Sequence, residues 1–324
     1  MSNLLNILLI SFSISITLTY LLIKFQKKYS ISQFIRNDGP SSHLSKKGTP
    51  TFGGVAFIIA QLLTLSPFYS YPAVNFYMKT LSLFFLIGFL DDVIKIAKIK
   101  NGISAKTKLF LQIIISSFLV FSAPSYFGTA AYTFLVLPIA GIIYTPLIFN
   151  YFLNLIAFVG SSNSINLTDG LDGLLSSILI GFWTVLFSSL IIFNIPNTDL
   201  YFLSIVNIGS LLGFLIFNKY PAKIFMGDCG SLALGASFCS ISLYYHSTLL
   251  LIGFMFIPVI EALSVILQVG SFRIYKRKIF KMAPIHHHFE QEGYHEKNIS
   301  LSFMLINSAA ATLTIYLLSK TLFE

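Results

Sequence analysis

The feature that most restricts how this 324-residue chain can fold is the repeated return of long apolar runs, separated by short segments that gather the charge. About 20 helical residues cross a hydrocarbon core of roughly 30 Å, and several runs reach that length, so they can span a bilayer and need not lie on its surface. Only 10% of the residues are charged and 55% are hydrophobic, where a soluble domain carries about 25% charged residues. The bilayer is therefore the solvent for most side chains. The first run, 3–23, has no basic n-region and is followed by many others, so it reads as a first transmembrane helix and not as a cleaved signal peptide.

The pattern predicts an all-α integral membrane protein, a bundle of about ten transmembrane helices with the active site on the cytoplasmic loops, and residues 1–324 forming a single polytopic domain. The predicted spans are 3–23, 51–70, 73–90, 108–123, 131–159, 174–194, 200–217, 230–245, 249–270 and 300–319. The segment 131–159 is overlong and holds Pro138 and Pro146, so tilt, a kink or a re-entrant entry is expected there. Ten spans put the loops 24–50, 91–108, 160–173, 218–229 and 271–299 on one side, and of the 21 Lys and Arg only Lys79 and Lys320 fall elsewhere. By the positive-inside tendency that side is cytoplasmic and both termini face outward. The formal charge of +9 follows from this loop asymmetry, and no nucleic-acid partner is expected. Cys229 and Cys239 are too few for a disulfide framework and are expected to be free thiols. The sequence contains no convincing internal repeat.

Nine of the twelve acidic residues lie on the basic side, in compact groups at span ends. Asp91 and Asp92 end the apolar run 81–90, at a depth where charge is costly and suggests function. A solvated helix end with Lys95 as partner is the plainer account. The stretch 163–173 holds Asn163, Asn166, Asp169, Gly170, Asp172 and Gly173 with no basic residue. If a helix starts here, Asp169 and Asp172 share a face. Helix capping accounts for one of these acids but not for the whole group. Phe225, Gly227, Asp228, Gly230 and Ser231 precede a further span, where a carboxylate and helix N–H groups can hold a cation and an anionic oxygen together; a glycine turn is the bland alternative. His286, His287 and His288, followed by Glu290, are too close in sequence to aim at one zinc ion and read better as phosphate contacts or as a solvated loop. If Asp91, Asp92 and Asp228 converge, like charges demand a cation, and oxygen ligands favour Mg2+. Lys46, Lys47, Lys95, Lys106 and the His run would surround that ion with positive charge suited to a diphosphate, and the implied chemistry is phosphoryl transfer.

The stretches 35–40, 45–54, 88–92, 102–108, 163–173, 225–231 and 281–290 together closely resemble the phospho-N-acetylmuramoyl-pentapeptide transferase family, within the polyprenyl-phosphate hexosamine-phosphate transferases. That resemblance implies transfer of phospho-MurNAc-pentapeptide from UDP-MurNAc-pentapeptide to undecaprenyl phosphate, giving lipid I and UMP. It also implies Mg2+, usually a homodimer, and a multi-pass place in the bacterial cytoplasmic membrane with a cytoplasmic site. By similarity Asp91, Asp92 and Asp228 are catalytic, with Asp228 and Asp92 on the metal, and Lys95 and Lys106 attract phosphates. Asn163, Asn166, Asp169, Asp172, Phe225 and Ser231 line the substrate, with Phe225 against uracil. His286, His287 and His288 contact the nucleotide sugar, and Lys47 reaches the nucleotide. Val93, Cys229, Tyr294 and Ser302-Phe303 depart from the usual pattern without removing a carboxylate, amide or His from the signature. A proton- or cation-coupled transporter, the rival of another class, would keep ionisable groups at mid-membrane. Glu261 is the one acid of that kind, and its role stays open at this point.

Overall fold

A computed structural model describes the chain apart from residues 1, 30, 32–47, 98–101, 130–132, 196 and 324, and the side chains of Ser2, Leu322 and Phe323. The elements run α1 (Ser2–Lys28), α2 (Gly53–Leu65), α3 (Pro72–Ile96), α4 (Ala105–Ser122) and α5 (Pro124–Phe127), then the antiparallel hairpin β1 (Phe134–Leu137) and β2 (Gly141–Tyr144). They continue as α6 (Leu147–Thr168), α7 (Leu174–Ile192), α8 (Thr198–Asn218), α9 (Gly227–Tyr244), α10 (Leu251–Phe254), α11 (Phe256–Tyr275), α12 (Ile285–Gln291) and α13 (Glu296–Phe323). Among the described residues seven helical segments are long and apolar enough to cross a membrane: α1, α3, α4 with α5, α7, α8, α11 and α13. Helices α2, α6 and α9 fall at the other three predicted spans but do not join that group, because α2 is short and the other two carry many polar or small residues.

Two predicted spans are corrected. The overlong segment 131–159 is not one helix: its first part forms the β1–β2 hairpin, which turns at Pro138–Ala140, and α6 starts only after Pro146. Proline at the helix boundary fits both facts, since it lacks the N–H that a continuing helix would need. Helix α6 then runs to Thr168 and takes Asn163 and Asn166 into its last turns, so the connection to α7 is a tight turn that carries Asp169 and Asp172. The segment 249–270 is likewise broken at Met255, between α10 and α11.

The polarity of the bundle is that of a protein in lipid. Large apolar side chains such as Phe110, Phe121, Ile266 and Leu305 are exposed, while Ser11, Ser15, Gln61, Gln112 and Asn207 are buried. The inward polar groups pair between helices: Ser11 and Ser15 of α1 donate to the carbonyls of Val206 and Ser210 of α8 at 2.8 and 2.6 Å, and Tyr77 donates to Asn207 Oδ1 at 2.8 Å. Lipid tails are as apolar as the side chains they would replace, so close packing and these bonds hold the helices together. Helix α9 is the axis of the packing, with every residue from Cys229 to Leu243 buried. Its neighbours come unusually near. A Cβ at Gly88 of α3 would lie 2.2 Å from the Asp228 carbonyl oxygen, and one at Gly54 of α2 would lie 2.3 Å from the Gly230 nitrogen. Trp183, Phe182, Phe238 and Phe254 fill the space farther along with tilted and edge-on ring contacts.

Candidate active site at the ends of α3 and α9

The close approach at Gly88 has a direct chemical result, because it brings the C-terminal end of α3 against the N-terminal end of α9. Asp91 and Asp92 leave α3 buried, at 0% and 4% exposure, and meet Asp228 of α9's first turn. One ligand oxygen from each of the three carboxylates lies within 4.8 Å of the others. Asp92 Oδ2 accepts the Cys229 N–H at 2.9 Å and so caps α9 from a different helix, satisfying a backbone donor that has no partner inside α9. Asp91 Oδ1 accepts the Ile103 N–H at 2.6 Å, which ties the loop before α4 to the cluster.

Two ammonium groups enter the cluster. Lys95, one turn after Asp91, places Nζ 2.6 Å from Asp91 Oδ2, 3.1 Å from Asp228 Oδ2 and 3.6 Å from Asp92 Oδ1. Lys108 of α4 places Nζ 2.6 Å from Asp228 Oδ2 and 3.1 Å from Asp91 Oδ2. Three carboxylates against two ammonium groups leave a net charge of one negative, in a pocket whose donors are all oxygens. That donor set suits a hard divalent cation, and the two amines already mark the carboxylate oxygens as a place for positive charge. Asn166 closes the opposite side, donating to Asp228 Oδ1 at 3.1 Å and to Ser231 Oγ at 2.8 Å, while Ser231 Oγ donates to the Gly227 carbonyl at 3.1 Å. Asp169 sits beside this centre. Withdrawal from water, then the negative charges of Asp228, Asp92 and Asp172, push its carboxyl up to about 7.

The other predicted residues separate by position. Lys106 is exposed and two residues from Lys108, so on a helix turning about 100° per residue it points away from the cluster that Lys108 enters. Lys108 is thus the residue that motif reading passed over. The sequence signal for it was the helix start, where Ser104 caps α4 by accepting the Thr107 N–H and so sets which lysine turns inward. Asn163 faces α4, donating to Gln112 Oε1 at 2.9 Å. Asp172 works as a strut: its Oδ2 accepts the Ala222 N–H at 2.8 Å, and its own N–H donates to Glu296 Oε2 at 3.1 Å. Phe225 is half-buried, and its backbone pairs with Pro50 and Gly53 at 2.9 Å each, fixing the loop before α9. The three histidines diverge, as neighbours on the short helix α12 must. His286 meets Glu261 at 3.0 Å, His287 meets Glu290 at 3.1 Å, and His288 Nδ1 accepts the Lys281 N–H at 3.3 Å. Lys46 and Lys47 lie outside the described residues.

The sequence profile of Glycosyl transferase family 4 matches residues 52–246, a stretch that contains both halves of the acidic cluster. The phospho-N-acetylmuramoyl-pentapeptide-transferase of Clostridium perfringens is 42% identical over 304 residues, covering 92% of this chain and 93% of that protein. The proteins of the same name from Clostridium kluyveri and Oceanobacillus iheyensis are each 39% identical, covering 94% and 98% of this chain and 96% and 98% of their own lengths. Identity of this extent over nearly the whole chain, with the profile match over residues 52–246, makes the chain a member of glycosyl transferase family 4 and, within it, of the phospho-N-acetylmuramoyl-pentapeptide-transferase family.

Proposed function

We propose that this protein transfers phospho-MurNAc-pentapeptide from UDP-MurNAc-pentapeptide to undecaprenyl phosphate, giving undecaprenyl-diphospho-MurNAc-pentapeptide and UMP. An oxygen of the lipid phosphate forms a bond to the β-phosphorus of the nucleotide sugar, the bond from that phosphorus to the bridging oxygen breaks, and the bridging oxygen keeps the electron pair and leaves as part of UMP. The observation that carries the reading is the meeting of Asp91, Asp92 and Asp228 within 4.8 Å, with Lys95 and Lys108 among them. Asp228 and Asp92 would hold Mg2+, which when bound supplies charge neutralisation to the diphosphate. Lys95 and Lys108 keep the carboxylates in place and offer ammonium groups to phosphate oxygens, and Asn166 fixes the orientation of Asp228. Phe225, half-open at the mouth of the loop before α9, would stack on uracil, with Asp169 nearby; Asn163 and Asp172 support this side from behind.

The same reading makes residues 1–324 one polytopic domain of ten spans in the bacterial cytoplasmic membrane, with both termini outside, the acidic cluster on the cytoplasmic side, and a homodimeric assembly. The charge separation between loops supports the orientation, and the complete enclosure of α9 explains how a helix of modest hydropathy can stand at membrane depth. Purified protein should release UMP from UDP-MurNAc-pentapeptide when both undecaprenyl phosphate and Mg2+ are supplied, and EDTA should stop it. UMP release without the lipid, or equal release from UDP-N-acetylglucosamine, would refute the assignment.

A further inference from the structure

Glu261 lies inside α11, and both it and His286 of α12 are 0% exposed. An acid at such depth is costly unless its oxygens are engaged. Here both oxygens turn to one residue. Glu261 Oε1 lies 3.0 Å from His286 Nδ1, and Oε2 accepts the His286 backbone N–H at 3.4 Å. An ionised carboxylate only accepts, so Nδ1 is the nitrogen that donates to Glu261, leaving Nε2 as the working edge. That Nε2 is buried and has no hydrogen-bond partner among the described residues. It rests on the turn between α6 and α7: a Cβ at Gly170 would fall 2.1 Å from Nε2 and 2.7 Å from Cε1. Gly170 is not among the glycines with a left-handed backbone, so its missing side chain makes room for the ring and is not needed by the chain path.

A buried nitrogen without a partner calls for one from outside the protein. The ring edge faces the turn that carries Asp169, which senses the charge of Asp228 and Asp92, so the partner arrives where the reacting groups lie. We infer that Glu261 is a positioning residue: it holds His286 through Nδ1 and aims Nε2 over Gly170 at a phosphate oxygen of the nucleotide-sugar diphosphate. This rests on the transferase reading above. A phosphate oxygen accepts, so Nε2 serves that contact as the donor while Glu261 engages the ring's other nitrogen. The arrangement joins α11, α12 and the α6–α7 turn through a single imidazole.

The test is a double-mutant cycle on UMP release by the full-length protein in detergent or nanodiscs, with undecaprenyl phosphate and Mg2+ present. Glu261→Gln should lower kcat about 10- to 100-fold, the scale known for a carboxylate that orients a metal-bound histidine, with KM for the nucleotide sugar little changed if the contact tightens in the transition state. His286→Ala should lower it at least as far. Adding Glu261→Gln to His286→Ala should then cost nothing more, whereas a role in folding alone would multiply the two losses. Gly170→Ala, which pushes the same ring from the other side, should behave like Glu261→Gln in both backgrounds. Should Glu261→Gln not fold, the cycle is run with Glu261→Asp, which keeps the charge but draws the carboxylate back by one methylene. Multiplying losses, or a Glu261 variant with wild-type kcat, overturns the inference while leaving the transferase reading standing. A wild-type protein that releases no UMP overturns that reading and the inference with it.

Discussion

Replacing Lys108 with methionine keeps most of the side chain's volume and removes one ammonium from the acidic cluster, and the geometry gives the size of the effect on divalent-ion binding. Lys108 Nζ lies 2.6 Å from Asp228 Oδ2 and 3.1 Å from Asp91 Oδ2. A magnesium ion bound to that Asp228 oxygen at about 2.1 Å would stand roughly 4 Å from the ammonium. Two positive charges against one at about 4 Å repel by roughly 8 kcal/mol at an effective dielectric of about 20. The Lys108 side chain is 19% exposed, and its stem can withdraw toward water. Most of the repulsion is relieved in that way, leaving on the order of 1–2 kcal/mol. That corresponds to about a 5- to 30-fold difference in affinity. Lys108→Met should therefore bind Mg2+ about 5- to 30-fold more tightly than the wild type, while its UMP release falls for want of a phosphate-facing charge. Without the ion it should melt at a lower temperature, because Asp91 and Asp228 keep only Lys95 between them. Mg2+ titration followed by thermal shift, on wild type and variant in the same detergent, reads all of this. An unchanged or weaker Mg2+ affinity in Lys108→Met would show that the ion and the lysine do not share Asp228, and the account of the cluster would fail.

Asp228→Asn should cut turnover by on the order of 100-fold or more and abolish the stabilisation by Mg2+, both measurable in the same samples. Gly88→Ala drives a Cβ into the backbone of Asp228 and Cys229, at 2.2 and 2.5 Å, and should cost about 1–3 kcal/mol of stability together with most of the activity. The control is Gly160→Ala in α6, where nothing stands within 4 Å; it should leave the melting temperature unchanged or slightly higher. Asp169 binds its proton more tightly in the folded protein, at about 7 against 3.8 for the free side chain, so ionising it costs stability as pH rises through that window, and the cost is complete above it. In EDTA, Asp169→Asn should thus melt higher than the wild type at pH 8 and equally at pH 3.5, and an equal difference at both would rule out the proposed cause.

Much of this architecture could be read from the order of apolar runs, because a bilayer imposes one length on every segment that crosses it. What escaped that reading was decided by neighbours instead of by lipid. The run Phe134–Leu137 and Gly141–Tyr144 is as apolar as a helix, but Pro138 and Pro146 at its turn and end let it pair as a hairpin. Helix α6 outlasts its apolar stretch by two turns because Ser162 and Asn166 find partners on α9, so polar residues continue a helix that faces protein. The acidic groups announced themselves by composition, and the structure brings Asp91, Asp92 and Asp228 together. The choice of Lys108 over Lys106 depended on helical phase, and that depends on one cap at Ser104. Asp172 drew notice for the same reason as Asp169, and what no local pattern reported is that its Oδ2 accepts the Ala222 N–H and holds two loops in register. The pairing of Glu261 with His286 spans 25 residues, a distance no local pattern reports.

The enclosure of α9 bears on how the surrounding lipid can influence catalysis. A bilayer that is too thin or too thick acts on a protein by tilting those segments whose apolar sides it wets. From Cys229 to Leu243 this helix offers no such side, so hydrophobic mismatch has no direct purchase on the segment that carries Asp228. The helices with apolar sides open to acyl chains are α1, α4, α11 and α13, and in part α3. Asp228 is thereby shielded from direct mismatch, whereas Asp91 and Asp92 ride on α3, whose Leu86, Leu90 and Val93 are exposed, so the spacing of the cluster feels membrane thickness from the α3 side alone.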